Sequence, residues 1–206
     1  MSVKLHEAYC LDSVQDRLLF YEDFLGDSLR DLWLADGVGS SAVVDAVDGG
    51  VVRLTTGAAT NNTYRIGWGN FNTLLVSKKV TFEARIKLSS VTNIITYFGL
   101  PNSAITNWVL FYFAAAADTN WRIYTNDVGS TGVDSGVLPD TSYHIYRVEC
   151  FPTGEVHFYI DGVETANSPI TTDIPSDYLI PYISIQTKED LAKTMDIDYV
   201  VCRQEI

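Results

Sequence analysis

The chain has 206 residues, of which 47% are hydrophobic and 19% charged, and this length and composition support one domain with one sizeable core. A formal charge of -12 argues against nucleic acid and anionic membranes as partners, because both are contacted through clustered lysine and arginine. Abundant aromatic residues and short runs rich in valine, isoleucine, threonine and tyrosine favour β-structure over helix.

The N-terminal segment, residues 1–19, differs in pattern from the rest of the chain. Within it, "LDSVQDRLLF" has helical spacing of its apolar residues, at Leu11, Val14, Leu18 and Leu19. We expect either a short helix that serves as a docking arm or a terminal stretch packed against its own domain. The opening "MSVKLHEAYC" lacks the apolar run of a secretory signal, and no segment approaches the roughly 18 apolar residues of a membrane span. These features predict a chain made and kept in a cytosol.

Residues 20–206 show the repeated strand-and-turn pattern of one antiparallel β-domain. The clearest strand is "VTFEARIKLS", which alternates apolar and polar residues; the apolar set is Val80, Phe82, Ala84, Ile86 and Leu88. Further strands are predicted in "GGVVRLTT", "NIITYFGL", "PYISIQT" and the segments discussed below. Roughly ten short strands in one domain predict an all-β antiparallel sandwich of jelly-roll type.

An aromatic hairpin is predicted in "WVLFYFAAAADTNWRIYTND". Its two strands supply six candidate residues for glycan binding or for an interface: Trp108, Tyr112, Trp121, Arg122, Tyr124 and Asn126. Aromatic faces hold the C–H surfaces of sugars, and amides and charged groups bind their hydroxyls. Both faces of "WVLFYF" are apolar, so each must be covered by something other than water. Ordinary core filling, a ligand groove and a subunit interface are the three alternatives.

Two hairpins follow in "YHIYRVECFPTGEVHFYIDGVETA". The first turns at Pro152 to Gly154, and the second at Asp161-Gly162, a dipeptide that accepts the positive φ of a two-residue turn. His144 and His157 lie on neighbouring strands of these hairpins, where we expect half-buried polar residues rather than catalytic ones.

The last strand is predicted in "TMDIDYVVCRQ" and carries Asp196 and Asp198 on one face. Their Cα atoms would lie roughly 6.5 to 7 Å apart, so geometry alone does not exclude an acid pair. No third acid accompanies them in "MDIDYVVC", and Met195, Ile197, Tyr199 and Val201 form the alternate, core-facing side. We therefore interpret the two aspartates as part of the scaffold.

The three cysteines, Cys10, Cys150 and Cys202, are odd in number and have no C-x-x-C spacing. Neither a disulfide framework nor a zinc site is suggested by this pattern. Three reduced and mostly buried thiols are expected.

Four of these segments together resemble a known superfamily: "FYEDFLGDSLRDLWLADG", "VTFEARIKL", "YHIYRVECFPTGEVHFYIDGVE" and "TMDIDYVVCRQ", in that order. They are similar to the concanavalin A-like lectin/glucanase superfamily of LamG-like jelly rolls, and more narrowly to the versions found among structural proteins of tailed bacteriophages. The resemblance covers residues 20–204. It is specific for the fold and weak for the function, because the shared motifs are core strands and turns.

Catalysis is not supported by what the resemblance implies. Glucanases of this superfamily carry a Glu-x-Asp-x-(x)-Glu arrangement on a concave-face strand, which the strand with Asp196 lacks. Its polysaccharide lyases use an Arg strand and a Gln-x-His strand; Arg85 and Gln186 fit, but no histidine stands two residues after Gln186.

Metal binding is a weaker expectation from the same resemblance. Many domains of the superfamily hold a structural calcium ion, and "EDFLGDSL", "DAVDGG" and Asp198 offer oxygen ligands. No cofactor is predicted, and the resemblance leaves room for one structural calcium ion with no ligand set named.

The function that accounts for these features is a non-catalytic virion surface protein of a tailed phage, on the capsid or tail, assembled in the host cytoplasm. It would bind other virion proteins and itself, as a trimer or another closed homo-oligomer, and it would add adhesion to a host glycan. The alternative is a carbohydrate-binding, lectin-like module. A diverged glycoside hydrolase or polysaccharide lyase ranks third.

Overall fold

The computed structural model describes residues 17–26, 28–44, 50–69 and 73–205, almost all of them in strands and the turns between them. In the N-terminal half the strands are β1 (Arg17–Glu22), β2 (Leu34–Gly37), β3 (Gly39–Val44), β4 (Val51–Thr56), β5 (Thr63–Gly67), β6 (Leu74–Leu75), β7 (Val80–Leu88) and β8 (Ile94–Pro101). The others are β9 (Trp108–Ala114), β10 (Arg122–Asn126), β11 (Ser130–Asp134), β12 (His144–Phe151), β13 (Glu155–Ile160), β14 (Val163–Glu164), β15 (Tyr178–Leu179), β16 (Tyr182–Thr187) and β17 (Thr194–Glu205). A single 3-10 turn, Val76–Lys78, follows β6.

Two antiparallel sheets form the molecule. The eight-stranded sheet has the order β14-β13-β12-β7-β17-β4-β3, with β1 also paired to β17. The seven-stranded sheet has the order β11-β10-β9-β8-β16-β5-β2, and β15 and β6 form a small separate pair. The antiparallel β-sandwich predicted from the alternating strands is therefore confirmed.

The core lies between the two sheets and is filled by the inward residues of both. Phe98 and Phe111 of the seven-stranded sheet contact Tyr146 and Phe158 of the eight-stranded sheet, with ring centroids 4.8 Å apart for Phe98–Tyr146 and 5.3 Å apart for Phe111–Phe158. Edge-to-face packing of this kind adds to the free energy of apolar burial. Because the inner faces pack against each other, a binding site on the surface of either sheet would lie on its outer face.

Strand β7 and the hairpin turns agree with the sequence patterns. Burial alternates without interruption along β7, from Val80 to Leu88. At the second turn Asp161 and Gly162 both have positive φ, 52° and 79°, as a two-residue turn of this type requires.

Strand β1 shows where the helical spacing of the N-terminal segment misleads. It begins at Arg17, and its backbone pairs with β17 from Arg17↔Glu205 to Glu22↔Val200, so Leu18 and Leu19 belong to a strand and not to a helix. The reason is the length of β17. Strand β4 pairs only with its first part, Thr194 to Ile197, so the edge from Val200 to Glu205 is available for pairing with β1. The proposed arm or helix before Arg17 lies outside the described residues.

Strand β17 contains an irregularity that changes which residues face the core. Its pairing with β7 shifts between Ile197 and Tyr199, so one extra residue, Asp198, is accommodated there. After the shift Val200 is fully buried in the core, whereas the Tyr199 hydroxyl donates to Glu83 on the outer face. The expected inward orientation of Tyr199 and Val201 is thus wrong, because a bulge reverses the alternation, while that of Met195 and Ile197 is confirmed.

Candidate functional site

The outer face of the seven-stranded sheet carries an apolar cavity of about 300 Å³. Its walls come from three neighbouring strands, β8, β9 and β10, and from the loop between β8 and β9; the lining residues are Tyr97, Ile105, Trp108, Leu110, Tyr112 and Tyr124. The strand register brings them together, since Tyr112 pairs with Tyr97 and Leu110 pairs with both Tyr124 and Gly99. Three predicted residues, Trp108, Tyr112 and Tyr124, therefore share one site.

Tyr112 and Tyr124 form the corner of this cavity. Their ring centroids are 5.6 Å apart at an interplanar angle of 72°, so one ring presents its face where the other presents its edge. Burial raises the pKa of Tyr112, and the Asp118 carboxylate and the neighbouring phenols of Tyr124 and Tyr97 raise it further. Its hydroxyl therefore stays protonated at neutral pH and remains a hydrogen-bond donor.

Arg122 and Asn126 lie beside Tyr124 on the same face of β10, and each is held by the backbone of a neighbouring segment. The Arg122 Nη2 donates to the Gly132 carbonyl at 2.6 Å, and its guanidinium lies 5.6 Å from the Tyr124 ring centroid. The Asn126 Nδ2 donates to the Thr106 carbonyl. Both residues flank the cavity and fix its walls.

Trp121 lies elsewhere. Its ring is 1% exposed and packs in the core against Phe98 and Tyr146, at centroid distances of 5.3 and 5.1 Å. It precedes β10 on the same side as the buried Ile123, and its backbone N–H donates to the Val137 carbonyl. The structure therefore removes Trp121 from the candidate site: of the alternatives for the aromatic hairpin, core filling applies to this residue.

A second cavity of about 220 Å³ adjoins the first on the same face. Arg65 of β5 donates its Nε to Asp36 of β2 at 2.8 Å, and this hydrogen bond lowers the pKa of Asp36 and raises that of Arg65. Tyr182 closes the side nearer the first cavity and stacks on Tyr97, with centroids 5.7 Å apart and planes within 14°. The two cavities together form one groove on the outer face, with an aromatic half and a second half, called polar below for its Arg65–Asp36 ion pair, in which Leu34, Ile180 and Tyr182 add apolar surface.

The sequence analysis missed several residues of this groove, among them Tyr97, Leu110 and Ile105 of the aromatic half and Arg65, Asp36 and Tyr182 of the other half. A signal existed for Tyr97, because the alternation of "NIITYFGL" puts it on the opposite side from Phe98. The placement of Ile105 and Tyr182 depends on a loop and on the pairing of distant strands, which the local pattern does not encode.

The candidate acids are committed to ion pairs on the other sheet. Arg53 donates Nε to Asp196 Oδ1 at 2.6 Å and Nη2 to Asp196 Oδ2 at 2.8 Å, and Asp198 pairs with Arg85. This agrees with the interpretation of both aspartates as scaffold. The lyase arrangement is also absent among the described residues, since Arg85 lies in the eight-stranded sheet and Gln186 in the seven-stranded one.

Each histidine contacts at least one carboxylate of a neighbouring segment. His144 lies between Asp161, 2.6 Å from its Nδ1, and Asp140, 2.9 Å from its Nε2. His157 Nδ1 lies 2.6 Å from Glu164 Oε1. Neither histidine lines the groove, in agreement with a structural role.

Within the described residues, no group of three or more His, Cys, Asp or Glu side chains is arranged to hold a metal ion. The acid-rich turn proposed for calcium in "DAVDGG" and Asp27 of "EDFLGDSL" fall mainly outside those residues, so a structural calcium ion stays a prediction. No helix in the described part of the chain is long and apolar enough to cross a membrane.

Comparison with known proteins finds likeness in structure alone: no family model matches the sequence, and a search of curated proteins gives no match. A glycoside hydrolase family 16 endo-glucanase from Bacteroides ovatus superposes with a TM-score of 0.65 at 15% identity, over 88% of this chain and 98% of that one. The carbohydrate recognition domain of Emp47p gives a TM-score of 0.63 at 11% identity, over 91% and 95%. A carbohydrate esterase from the Shiga toxin-encoding bacteriophage phi24B gives 0.53 at 15% identity, over 84% and 90%.

These likenesses establish the fold. The chain is a concanavalin A-like jelly roll, as the sequence resemblance implied, and the fold is shared by enzymes and by a lectin domain.

Proposed function

We propose that this protein is a non-catalytic saccharide-binding module. The observation that carries the proposal is the aromatic cavity on the outer face of the seven-stranded sheet, open to solvent and walled by one tryptophan and three tyrosines. Structural neighbours include the carbohydrate recognition domain of Emp47p, which agrees with such a use of the fold.

The chemistry of the cavity suits a sugar ring. The half-buried faces of Trp108, Tyr112 and Tyr124 offer apolar contact to the C–H surface of a pyranose. Rigid aromatic side chains give this contact at low cost in conformational entropy. The phenol hydroxyls supply donors and acceptors at the rim, where sugar hydroxyls would lie.

The absence of carboxylates from the floor of the groove supports a binding role rather than hydrolysis. The outward residues of the central strands β8, β9 and β16 are aromatic, aliphatic or neutral polar, and within the described residues the only acid lining the two cavities is Asp36. Retaining hydrolysis needs two carboxyl groups about 5 to 5.5 Å apart. Asp36 has no second carboxyl group beside it in these cavities, and its own carboxylate forms an ion pair with Arg65.

The test is a glycan array that covers neutral, amino and acidic sugars, followed by calorimetric titration of the strongest hit. We expect saturable binding, reduced at least about tenfold by Tyr112→Ala and by Trp108→Ala, because each removes one wall of the cavity. Tyr143→Ala is the matched control: this half-buried tyrosine lies on the opposite sheet, over the Arg85 guanidinium. The Tyr143→Ala protein should bind the saccharide with the same affinity as the wild type. An array with no hit, or a hit unaffected by both cavity variants, contradicts the proposal.

The wider setting that we propose is the surface of a tailed-phage particle, where the protein would bind other virion proteins and copies of itself. The support is the resemblance of the strand motifs to phage structural proteins and a phage protein among the structural neighbours. In this setting, weak saccharide binding would be multiplied by the number of copies on the particle.

Mass spectrometry of purified particles from the producing strain tests the setting. We expect this chain to copurify with the major virion proteins at a fixed ratio through a density gradient. Its recovery only in the soluble fraction of the lysate would overturn the virion setting and leave the saccharide-binding proposal standing.

A further inference from the structure

Ile105 stands between the two halves of the groove. It lines the aromatic cavity together with Tyr97 and Trp108, and it also lines the polar cavity together with Arg65 and Tyr182. Among the residues that the structure describes, no other is shared by the linings of these two cavities. Its side chain is half-buried, so its apolar surface forms part of the groove wall.

The backbone at Ile105 is in a conformation that its side chain disfavours. Its φ is 54°, in the left-handed region, which a β-branched residue rarely adopts. Glycine or asparagine would hold this conformation more readily. An apolar branched side chain at such a position suggests that the side chain itself has a use.

A polar network holds the loop that carries Ile105. The Asn102 Oδ1 accepts the Thr106 N–H at 2.8 Å, and the Asn102 carbonyl accepts the Ile105 N–H at 3.0 Å. The Asn107 Nδ2 donates to Asp177 at 2.7 Å and to Asp127 at 3.0 Å, which ties the loop to two other segments. The loop is therefore fixed from both sides, and Ile105 cannot move aside without breaking these bonds.

The two halves that Ile105 separates differ in chemistry. One side offers aromatic faces, and the other offers the Arg65 guanidinium and the Asp36 carboxylate. A guanidinium and a carboxylate side by side can donate to one sugar hydroxyl and accept from the next. The ion pair is confined to the second cavity, and the first cavity holds most of the aromatic surface.

We propose, on the basis of the saccharide-binding function, that the groove takes a chain of at least two sugar units and that Ile105 sets its register. One unit lies on Trp108 and Tyr112, the glycosidic linkage crosses Ile105, and the next unit binds Arg65 and Asp36. Ile105 is thus a specificity-determining residue that selects for length and linkage.

The test is the dependence of affinity on ligand length. The probes are the strongest array hit and its fragments of one to four sugar units, titrated into the wild type and three variants. In the wild type, affinity should rise about tenfold from one unit to two. Arg65→Met should abolish this rise, and Ile105→Gly should reduce it at least about threefold, the rise being taken for each variant relative to its own affinity for one unit.

Ile105→Val is the matched control, because valine keeps a branched apolar side chain between the cavities, and it should retain the rise. Equal affinity for one and two units in the wild type overturns the proposal, as does a rise that survives both Arg65→Met and Ile105→Gly. These outcomes leave the saccharide-binding function intact, whereas an array without any hit removes that function itself.

Discussion

Asp196 shows at the scale of one residue why a paired carboxylate is not evidence of catalysis. Its side chain is 11% exposed and receives two hydrogen bonds from the more exposed Arg53 guanidinium. Such bidentate bonds fix geometry as well as contributing free energy. Asp196 and Arg53 lie on adjacent strands, β17 and β4, so the pair joins two strands of the sheet.

We predict that Asp196→Asn lowers the free energy of unfolding by about 1 to 2 kcal/mol, because the charge-assisted bonds are weakened at a largely buried position. Urea denaturation measures this. Glu205→Gln is the control on the same strand: Glu205 pairs with Lys79, but both side chains are at least 40% exposed, so the change should stay within about 0.5 kcal/mol. Equal losses for the two variants would contradict the argument.

Trp121 and Trp108 allow a second comparison between residues of the same type. Trp121→Ala should cost about 3 to 5 kcal/mol of unfolding free energy, because it empties a fully buried site between the sheets. Trp108→Ala should cost less, since Trp108 is half-buried at the groove, and should instead lower saccharide affinity. Thermal and chemical denaturation of both variants decide the point; a stable Trp121→Ala protein would place that ring at the surface.

His144 gives a prediction of pH dependence. Burial lowers the pKa of His144, but hydrogen bonds to Asp161 and Asp140 outweigh it and raise the pKa above its ordinary value of 6.5. Because the pKa of His144 is higher in the folded than in the unfolded state, protonated His144 stabilises the fold. This contribution to the unfolding free energy is complete below pH 6.5 and is lost as the pH rises through the folded-state pKa. The unfolding free energy of the wild type relative to His144→Gln should therefore fall as the pH rises above 6.5. Urea denaturation at constant ionic strength measures it; a difference that grows with pH would refute the sign.

The hairpin of β10 and β11 shows at the scale of elements how one glycine in an edge strand shapes the site. Gly132 of β11 pairs with Tyr124 of β10, and a Cβ atom at Gly132 would lie 2.0 Å from the Tyr124 ring. The ring therefore lies across the edge strand because glycine leaves the space open. No signal in "STGVD" alone indicates this contact.

A double-mutant cycle tests this contact without any ligand. Gly132→Ala should cost about 1 to 3 kcal/mol of unfolding free energy, because the methyl group forces the Tyr124 ring to move. In the Tyr124→Ala background the same substitution should cost close to nothing, since the obstacle is gone. Additive costs in the double variant would mean that the ring and the glycine do not interact.

The same elements show how far the sequence predicts the structure. Alternation identified β7, β12 and β13, because each has one face in the core and one in water. Strand β9 was identified from its apolar run instead, and most of its residues are buried. Alternation missed short strands such as β2 and β11, whose residues are mostly exposed and carry no alternation. It also missed the bulge at Asp198, since the pairing of β17 with a distant strand decides that shift.

The candidate site was predicted in part for a related reason. Trp108, Tyr112 and Tyr124 follow the alternation of regular strands, so their common face could be read from spacing. Trp121 continues the buried alternation of Ile123 and Thr125, so its spacing already puts it on the face opposite Tyr124. The prediction was wrong here because it combined both faces of the strand. Ile105 is in a loop, and only the three-dimensional network around Asn102 and Asn107 places it in the groove.

At the scale of the whole molecule, the reactivity of two buried thiols measures whether the core between the sheets opens in the native state. Cys150 and Cys202 are buried on strands β12 and β17, and burial raises the pKa of the Cys150 thiol to about 12. In a Cys10→Ser variant, which keeps only these two, a thiol reagent should react with neither in the native protein and with both after unfolding in urea. Rapid reaction of either in the native state would show that the sheets open locally rather than together.

The oligomeric state tests the virion setting, and the fold determines how the truncation must be made. Strand β1 pairs with β17 from Arg17 onward, so removing residues 1–19 would cut this strand and could dissociate copies by damaging the sheet. Removing residues 1–16 leaves the pairing intact. Light scattering should then show a closed oligomer, such as a trimer, for the full chain and a smaller species for the shortened one.

Unchanged thermal stability of the shortened chain is the control, because it separates a lost docking segment from a damaged fold. A monomer in both forms at micromolar concentration would remove the main support for attachment by multivalency. Saccharide binding would be unaffected by that result, since the described groove residues all come from one chain. The two parts of the proposed function can therefore fail independently.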